Sequence, residues 1–152
     1  MKGKPVIPPV HLTATYKFEN SDELIDVVQN HSGYIYSRWD NPSVVNVENT
    51  LAHIEGYNRA LGFGSGMAAI TTALMAHIKS GSKVIATREI YGATFEFLND
   101  ILPQFNVETV FKNCWEKEQL LAEIDKGAAV LYLETPTNPL LRVTDIKPLA
   151  EA

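Results

Sequence analysis

The stretch Leu61-Gly62-Phe63-Gly64-Ser65-Gly66-Met67-Ala68-Ala69 limits what this chain can fold into more than any other. A short apolar run meets a turn of alternating glycines, then a Ser placed to cap an Ala-rich helix. That order predicts strand, tight turn and helix. Several backbone N–H groups and the positive end of a helix dipole then face one small space. Glycines let an anion approach the main chain there, since no Cβ intervenes. Taken alone, the loop reads equally as a phosphate cradle or as close packing of a strand on a helix.

The pattern around this loop alternates between β-branched runs and helical segments. It predicts strands over 59–63, 83–87, 107–111 and 128–133. Helices are predicted over 65–79, over 94–102 ending before Pro103, and over 116–125 closed by Gly127. Such alternation argues for an α/β fold, a mostly parallel sheet with crossover helices. The run Ala129-Val130-Leu131-Tyr132-Leu133 is continuously apolar, as a strand covered on both faces should be. The helix over 67–78 is apolar on nearly every side and is expected to be buried, with His77 as a core or edge histidine. Upstream, Pro5, Pro8 and Pro9 oppose helix, so residues to about Asn20 read as an extended arm. That arm either embraces a partner subunit or hangs free. Ser21 is placed to cap a short helix through Gln29. Asn41 and Pro42 start another that runs to Glu55 and stops at Gly56. Its Val44, Val47, Leu51 and Ile54 recur at helical spacing and are expected in the core.

Composition narrows the function classes. A chain of 152 residues with 45% hydrophobic content can bury one core. The net charge of −5 leaves no basic footprint for nucleic acid. No run approaches the ~18 apolar residues of a membrane span, and the basic start Met1-Lys2-Gly3-Lys4-Pro5 lacks a signal-peptide apolar region. Cys114 is the one cysteine, which excludes an intrachain disulfide and suggests a reducing, cytoplasmic setting. As a buried or half-buried thiol it is expected to be inert. His11, His31, His53 and His77 have no ligand-like spacing, so no metal site is expected.

Two more clusters bear chemistry. Tyr36-Ser37-Arg38-Trp39-Asp40-Asn41-Pro42 places a phenol and a guanidinium two positions apart. In an extended segment both project from one side and can converge on a phosphate. An ordinary surface loop is the plainer reading. Ile90-Tyr91-Gly92-Ala93-Thr94-Phe95 follows an apolar strand. An aromatic just past a parallel strand's carboxyl end sits where open α/β sheets bind ligands. A Tyr packed at a helix start fits as well.

Tyr36-x-Arg38-x-x-Asn41-Pro42, Ser65-Gly66-Met67-Ala68-Ala69, Tyr91-Gly92-x-Thr94 and Glu134-Thr135-Pro136-x-Asn138-Pro139 occur in that order. Together they resemble the N-terminal part of the Cys/Met-metabolism pyridoxal-phosphate (PLP) enzymes. These include cystathionine γ-synthase, the cystathionine lyases, methionine γ-lyase and O-acetylhomoserine sulfhydrylase. The resemblance implies the large domain of a fold-type-I PLP-transferase behind an N-terminal arm. Residues 1–42 would contact a neighbouring subunit, and 43–152 would form an incomplete PLP-binding α/β domain.

It also implies roles. Ser65, Gly66 and Met67 would bind the cofactor phosphate, the last two through backbone N–H groups. Tyr36 and Arg38 would reach the phosphate of a neighbouring subunit. Tyr91 would stack on the pyridine ring, with its hydroxyl near the reacting carbon, as the catalytic candidate. Asn138 would bond the ring's 3-oxygen, held by the Pro136 and Pro139 turn. The enzyme class implied is a PLP-dependent C–S lyase or γ-synthase. It would work on small amino acids by elimination or replacement at Cβ or Cγ, in the cytoplasm, as a homo-oligomer and typically a tetramer.

Relatives carry three further features: an Asp for the pyridinium nitrogen, a Ser-x-Thr-Lys-type segment whose Lys forms the Schiff base, and an Arg for the substrate carboxylate. This sequence reaches Ala152 without them. The expectation is therefore a fragment, inactive alone, completed by a second chain carrying the missing half or by self-assembly. A non-catalytic assembly or regulatory fragment is the alternative in another class. A dinucleotide-binding oxidoreductase is a third reading: Gly64-x-Gly66-x-x-Ala69 matches the looser fingerprint, and Glu89 stands where a ribose-binding acid belongs. It leaves the Tyr36/Arg38 and Glu134–Pro139 clusters unexplained.

Overall fold

A computed structural model describes residues 6–152, so the expectation for Pro5 lies outside the described residues. The chain divides between Gly62 and Phe63 into two compact units.

The first unit is built by caps. Helix α1 (Ser21–Asn30) is capped by Asn20, not Ser21: its side chain accepts from the Glu23 amide at 2.9 Å. Glu23 reaches back to accept from the Glu19 amide at 2.8 Å, so two otherwise orphaned donors are satisfied together. Helix α2 (Pro42–Glu55) begins and ends as its sequence predicts. The Asn41 side chain accepts from the Ser43 amide at 2.9 Å, Pro42 occupies the first turn, and Gly56 closes the helix at φ 73°. Asn41 also donates to the carbonyl of His11 at 3.2 Å and to Ser37 Oγ at 2.9 Å. That buried amide pins three segments to one another. The arm is consequently fastened over part of its length. Thr15 forms an antiparallel bridge with Tyr36, and the Ser37 amide donates to the carbonyl of Ala14 at 2.9 Å.

One expectation fails on α2. Val44, Val47, Leu51 and Ile54 are all exposed, and Ala52 alone is buried on this helix. The spacing does give one apolar face, but that face is uncovered here.

The second unit is an α/β layer structure. Helix α3 (Gly66–His77) leads to strand β1 (Lys83–Thr87) and helix α4 (Gly92–Glu96). Then come strand β2 (Glu108–Lys112), helix α5 (Lys117–Ile124), strand β3 (Val130–Tyr132) and helix α6 (Lys147–Ala150). The three strands are parallel in the order β2-β1-β3, with Ile85 opposite both Val110 and Leu131. Successive residues of β1 alternate between two cores, as a pleat requires. Val84 and Ala86 join Leu74, Leu98, Leu102 and Val107 in one core, whereas Ile85 joins Leu120 and Leu149 in the other. Both faces of the central strand are thus covered by helices, whereas β3, whose apolar run predicts the same, lies at the sheet edge and is only partly buried.

Three further expectations are corrected. Residues 59–63 form no strand: the run holds no β-branched residue and carries Gly62, which weakens a strand. The helical segment after Tyr91 does not stop before Pro103. It continues from α4 through a wide π turn (Phe97–Ile101) into a tight 3-10 turn (Leu102–Phe105). Pro103 falls in the first turn of that last piece, where its missing N–H costs nothing. Helix α3 is apolar but mostly uncovered: Leu74 is its one buried residue, and Met75 is exposed. Helix α6 begins after Ile146 without a side-chain cap.

Candidate cofactor site

The glycine loop delivers its helix as predicted. Ser65, in extended conformation, accepts from the Ala68 amide at 3.1 Å and so caps α3. The amides of Gly66 and Met67 belong to the first turn and have no carbonyl four residues back, so they point out of the helix end. A Cβ added at Gly64 or Gly66 would meet no atom within 4 Å, and neither residue adopts the left-handed conformation that favours glycine. Nothing among the described residues requires glycine at either place, and the main chain there is open to an external group.

The start of α3 is tied to the start of α4. Thr94, fully buried, donates from its hydroxyl to the sulfur of Met67 at 3.6 Å. Tyr91 precedes α4 by one residue and is 49% exposed, so its ring is open to a ligand. Its amide donates to Glu134 Oε2 at 3.0 Å, and its carbonyl accepts from the Phe95 amide at 3.0 Å. The other carboxylate oxygen, Oε1, accepts from the Tyr132 hydroxyl at 3.0 Å. Burial, with the Glu134 carboxylate adding to it, raises the Tyr132 phenol above its ordinary value and keeps it a donor.

Asn138 lies on the loop after β3 and is exposed. That loop is knotted around buried Thr137, whose amide donates to the carbonyl of Arg142 at 2.9 Å and whose hydroxyl accepts from the Arg142 amide at 3.0 Å. The Thr144 amide donates to Thr135 Oγ1 at 3.1 Å. Asn138 therefore projects from a fixed turn.

In the first unit, Tyr36 and Arg38 do come together, though not along an extended strand. The chain turns there: the Trp39 and Asp40 amides donate to the Tyr36 carbonyl at 2.8 and 3.2 Å. The Arg38 guanidinium lies 4.9 Å from the centroid of the Tyr36 ring.

The oxidoreductase reading loses its supports. No strand precedes the glycine loop among the described residues, and the Glu89 carboxylate already accepts from the Cys114 amide at 2.9 Å. Among the described residues no cluster of metal-ligating side chains occurs, and no helix is long and apolar enough to cross a membrane. Thr94 and Glu134 carry no chemistry legible by themselves in the sequence; their one signal there is that each stands inside a motif, Tyr91-Gly92-x-Thr94 and Glu134–Pro139.

The profile of the family described as Cys/Met metabolism PLP-dependent enzyme matches residues 2–152. L-methionine gamma-lyase of Fusobacterium nucleatum subsp. nucleatum is 33% identical, over 94% of this chain and 36% of its own length. Cystathionine gamma-lyase of Bacillus subtilis is 33% identical, over 99% of this chain and 38% of its own. Among solved structures, metB from Corynebacterium glutamicum matches with a TM-score of 0.85 at 29% identity, over 97% of this chain and 37% of that one. A Campylobacter jejuni protein solved with N'-pyridoxyl-lysine-5'-monophosphate matches with a TM-score of 0.84 at 29% identity, over 95% and 36%. The chain thus spans 36% and 38% of the length of the two lyases it matches.

Proposed function

This chain belongs to the Cys/Met metabolism PLP-dependent enzymes, and we propose that it supplies the N-terminal part of the cofactor-binding domain of a trans-sulfuration-type enzyme. The substrate class is a small amino acid, either a sulfur amino acid or an O-acylhomoserine. The reaction is elimination or replacement at its Cβ or Cγ. One observation carries the reading: the starts of α3 and α4 meet at Met67 and Thr94, beside a loop whose glycines no internal contact requires.

Each residue's part follows from its chemistry. Bound pyridoxal phosphate supplies an electron sink for the pair left when a substrate Cα–H bond breaks. Gly66 and Met67 hold the phosphate through main-chain amides, with Ser65 fixing the helix end that presents them. Tyr91 offers its ring face to the pyridine ring and its hydroxyl to the leaving group. Asn138 donates to the ring's 3-oxygen. Tyr36 and Arg38, already paired in one turn, complete the phosphate site of a neighbouring subunit, with residues 1–42 as the contacting arm. Residues 43–152 serve as the PLP-binding part in this reading, within a cytoplasmic homo-oligomer, a tetramer in the full enzyme.

The test is a cofactor titration of the full-length protein. Pyridoxal phosphate should quench Trp39 and Trp115 saturably and develop visible absorbance, whereas NADH should do neither. Quenching by NADH without uptake of pyridoxal phosphate would overturn the proposal.

A further inference from the structure

Glu134 stands two residues beyond Tyr132, the last residue of β3, and joins that strand to the segment that carries Tyr91. Its two oxygens are divided between two donors of different kinds, a main-chain amide and a phenol, each at 3.0 Å. The amide is the informative partner. The ring of Tyr91 is half exposed and is not wedged into the core, so its direction depends on where its main chain is held. The hold comes from two bonds: Glu134 on the N–H, and the Phe95 amide on the C=O. The Tyr91 side chain makes no capping bond of its own. On the other side, Tyr132 is half-buried against the core that contains Leu98 and Val84, so its hydroxyl is a fixed post. Glu134 therefore transmits the position of the sheet to the main chain of Tyr91.

We propose that Glu134 is a positioning residue for the reaction: it sets the angle at which Tyr91 meets the cofactor ring by clamping the Tyr91 amide to the end of β3. This rests on the reading of Tyr91 given above. A carboxylate serves both donors at once because both of its oxygens accept; a carboxamide has one acceptor oxygen, so the Tyr132 hydroxyl would have to turn from donor to acceptor for both contacts to survive. Misplacing an aromatic platform by an ångström is enough to slow a reaction that depends on alignment.

The experiment uses the full-length protein as wild type, Glu134→Gln, Glu134→Ala, Tyr91→Ala and the double variant Glu134→Ala/Tyr91→Ala. Hydrogen exchange of the peptide spanning Tyr91–Phe95 is measured on cofactor-free protein. Visible circular dichroism and kcat against KM are measured with pyridoxal phosphate bound. In Glu134→Ala, exchange in that peptide should quicken about tenfold or more while the strands stay protected. The cofactor's dichroism should change at full occupancy, and kcat should fall about tenfold with KM moving less. Glu134→Gln should lie between, and it carries the test should Glu134→Ala fail to fold. In the Tyr91→Ala background, removing Glu134 should cost little more, since the two act as one unit.

Unchanged exchange with normal cofactor uptake would overturn this proposal alone. So would an equal cost of Glu134→Ala with and without Tyr91. Failure of the wild type to take up pyridoxal phosphate would overturn the functional reading and this proposal with it.

Discussion

The ammonium of Lys83 stands 3.1 Å from Oε1 of Glu123, a carboxylate whose side chain is only 10% exposed. Lys126 holds the other oxygen at 2.9 Å, and Lys112 lies 4.0 Å from it. The first strand of the sheet and helix α5 are thereby joined through one acidic group. Bonds from Lys126 and Lys83 lower the pKa of Glu123 below its ordinary value. A lowered folded pKa means the contribution is present above the unfolded value and is lost as pH falls through the folded one. Glu123→Gln should lower Tm at neutral pH, and the gap from wild type should close as pH falls below the ordinary carboxylate range. Thermal melts across that range check it.

Leu98 is fully buried where the π turn meets β1 and β2, and Thr109 donates to its carbonyl at 3.0 Å. Leu98→Ala should destabilise the fold by about 2–5 kcal/mol, because the rigid turn can collapse only partly onto the void. Denaturant titration of the cofactor-free protein measures it.

Gly66→Ala separates folding from binding. The new methyl meets nothing within the chain, and the first turn of a helix accepts alanine readily. Cofactor-free stability should therefore hold or rise, while affinity for pyridoxal phosphate falls about tenfold or more, a loss of at least ~1.4 kcal/mol. Equal affinity would show that no anion comes close to that carbon.

Arg38→Ala should weaken cofactor affinity by about ten- to a hundredfold, the measure of one charge-assisted pair. Arg38→Lys should recover only part, since it loses the fork and the stack on Tyr36. The loss should appear only under conditions in which subunits associate, which gel filtration run beside the titration decides.

Cys114 is buried, and burial first, then the neighbouring Glu89 carboxylate, raise its thiol above the ordinary value. The group is a neutral thiol at physiological pH and a poor nucleophile. Iodoacetamide should modify it many times more slowly in native protein than in urea, a contrast that mass spectrometry reads directly.

Local signals translated well into structure. The start of α2 follows from Asn41 and Pro42, its end from Gly56, and the cap of α3 from Ser65, because each acts within a few residues of itself. The parallel strands β1, β2 and β3 follow from alternation with helices. What failed depended on distant neighbours. The short run at 59–63 suggests a strand by its place before a glycine turn, but it holds no β-branched residue, and none of the three strands pairs with it. The stripe from Val44 to Ile54 reveals an apolar face and is silent about what lies over it. Tyr36 and Arg38 were expected to converge by alternation and do so by a turn, which bonds to the Tyr36 carbonyl decide. The two partners of Glu134, Tyr91 and Tyr132, lie 41 residues apart from each other, beyond any local rule.

The order of the sheet also bears on how the molecule is made. Its central strand receives the first neighbour from β2 and the second only from β3, after a further helix has been synthesised. On a chain leaving the ribosome, Val84–Ala86 wait with one flank bare until Val130–Tyr132 emerge. That interval is when a nascent polypeptide most needs a chaperone's shelter.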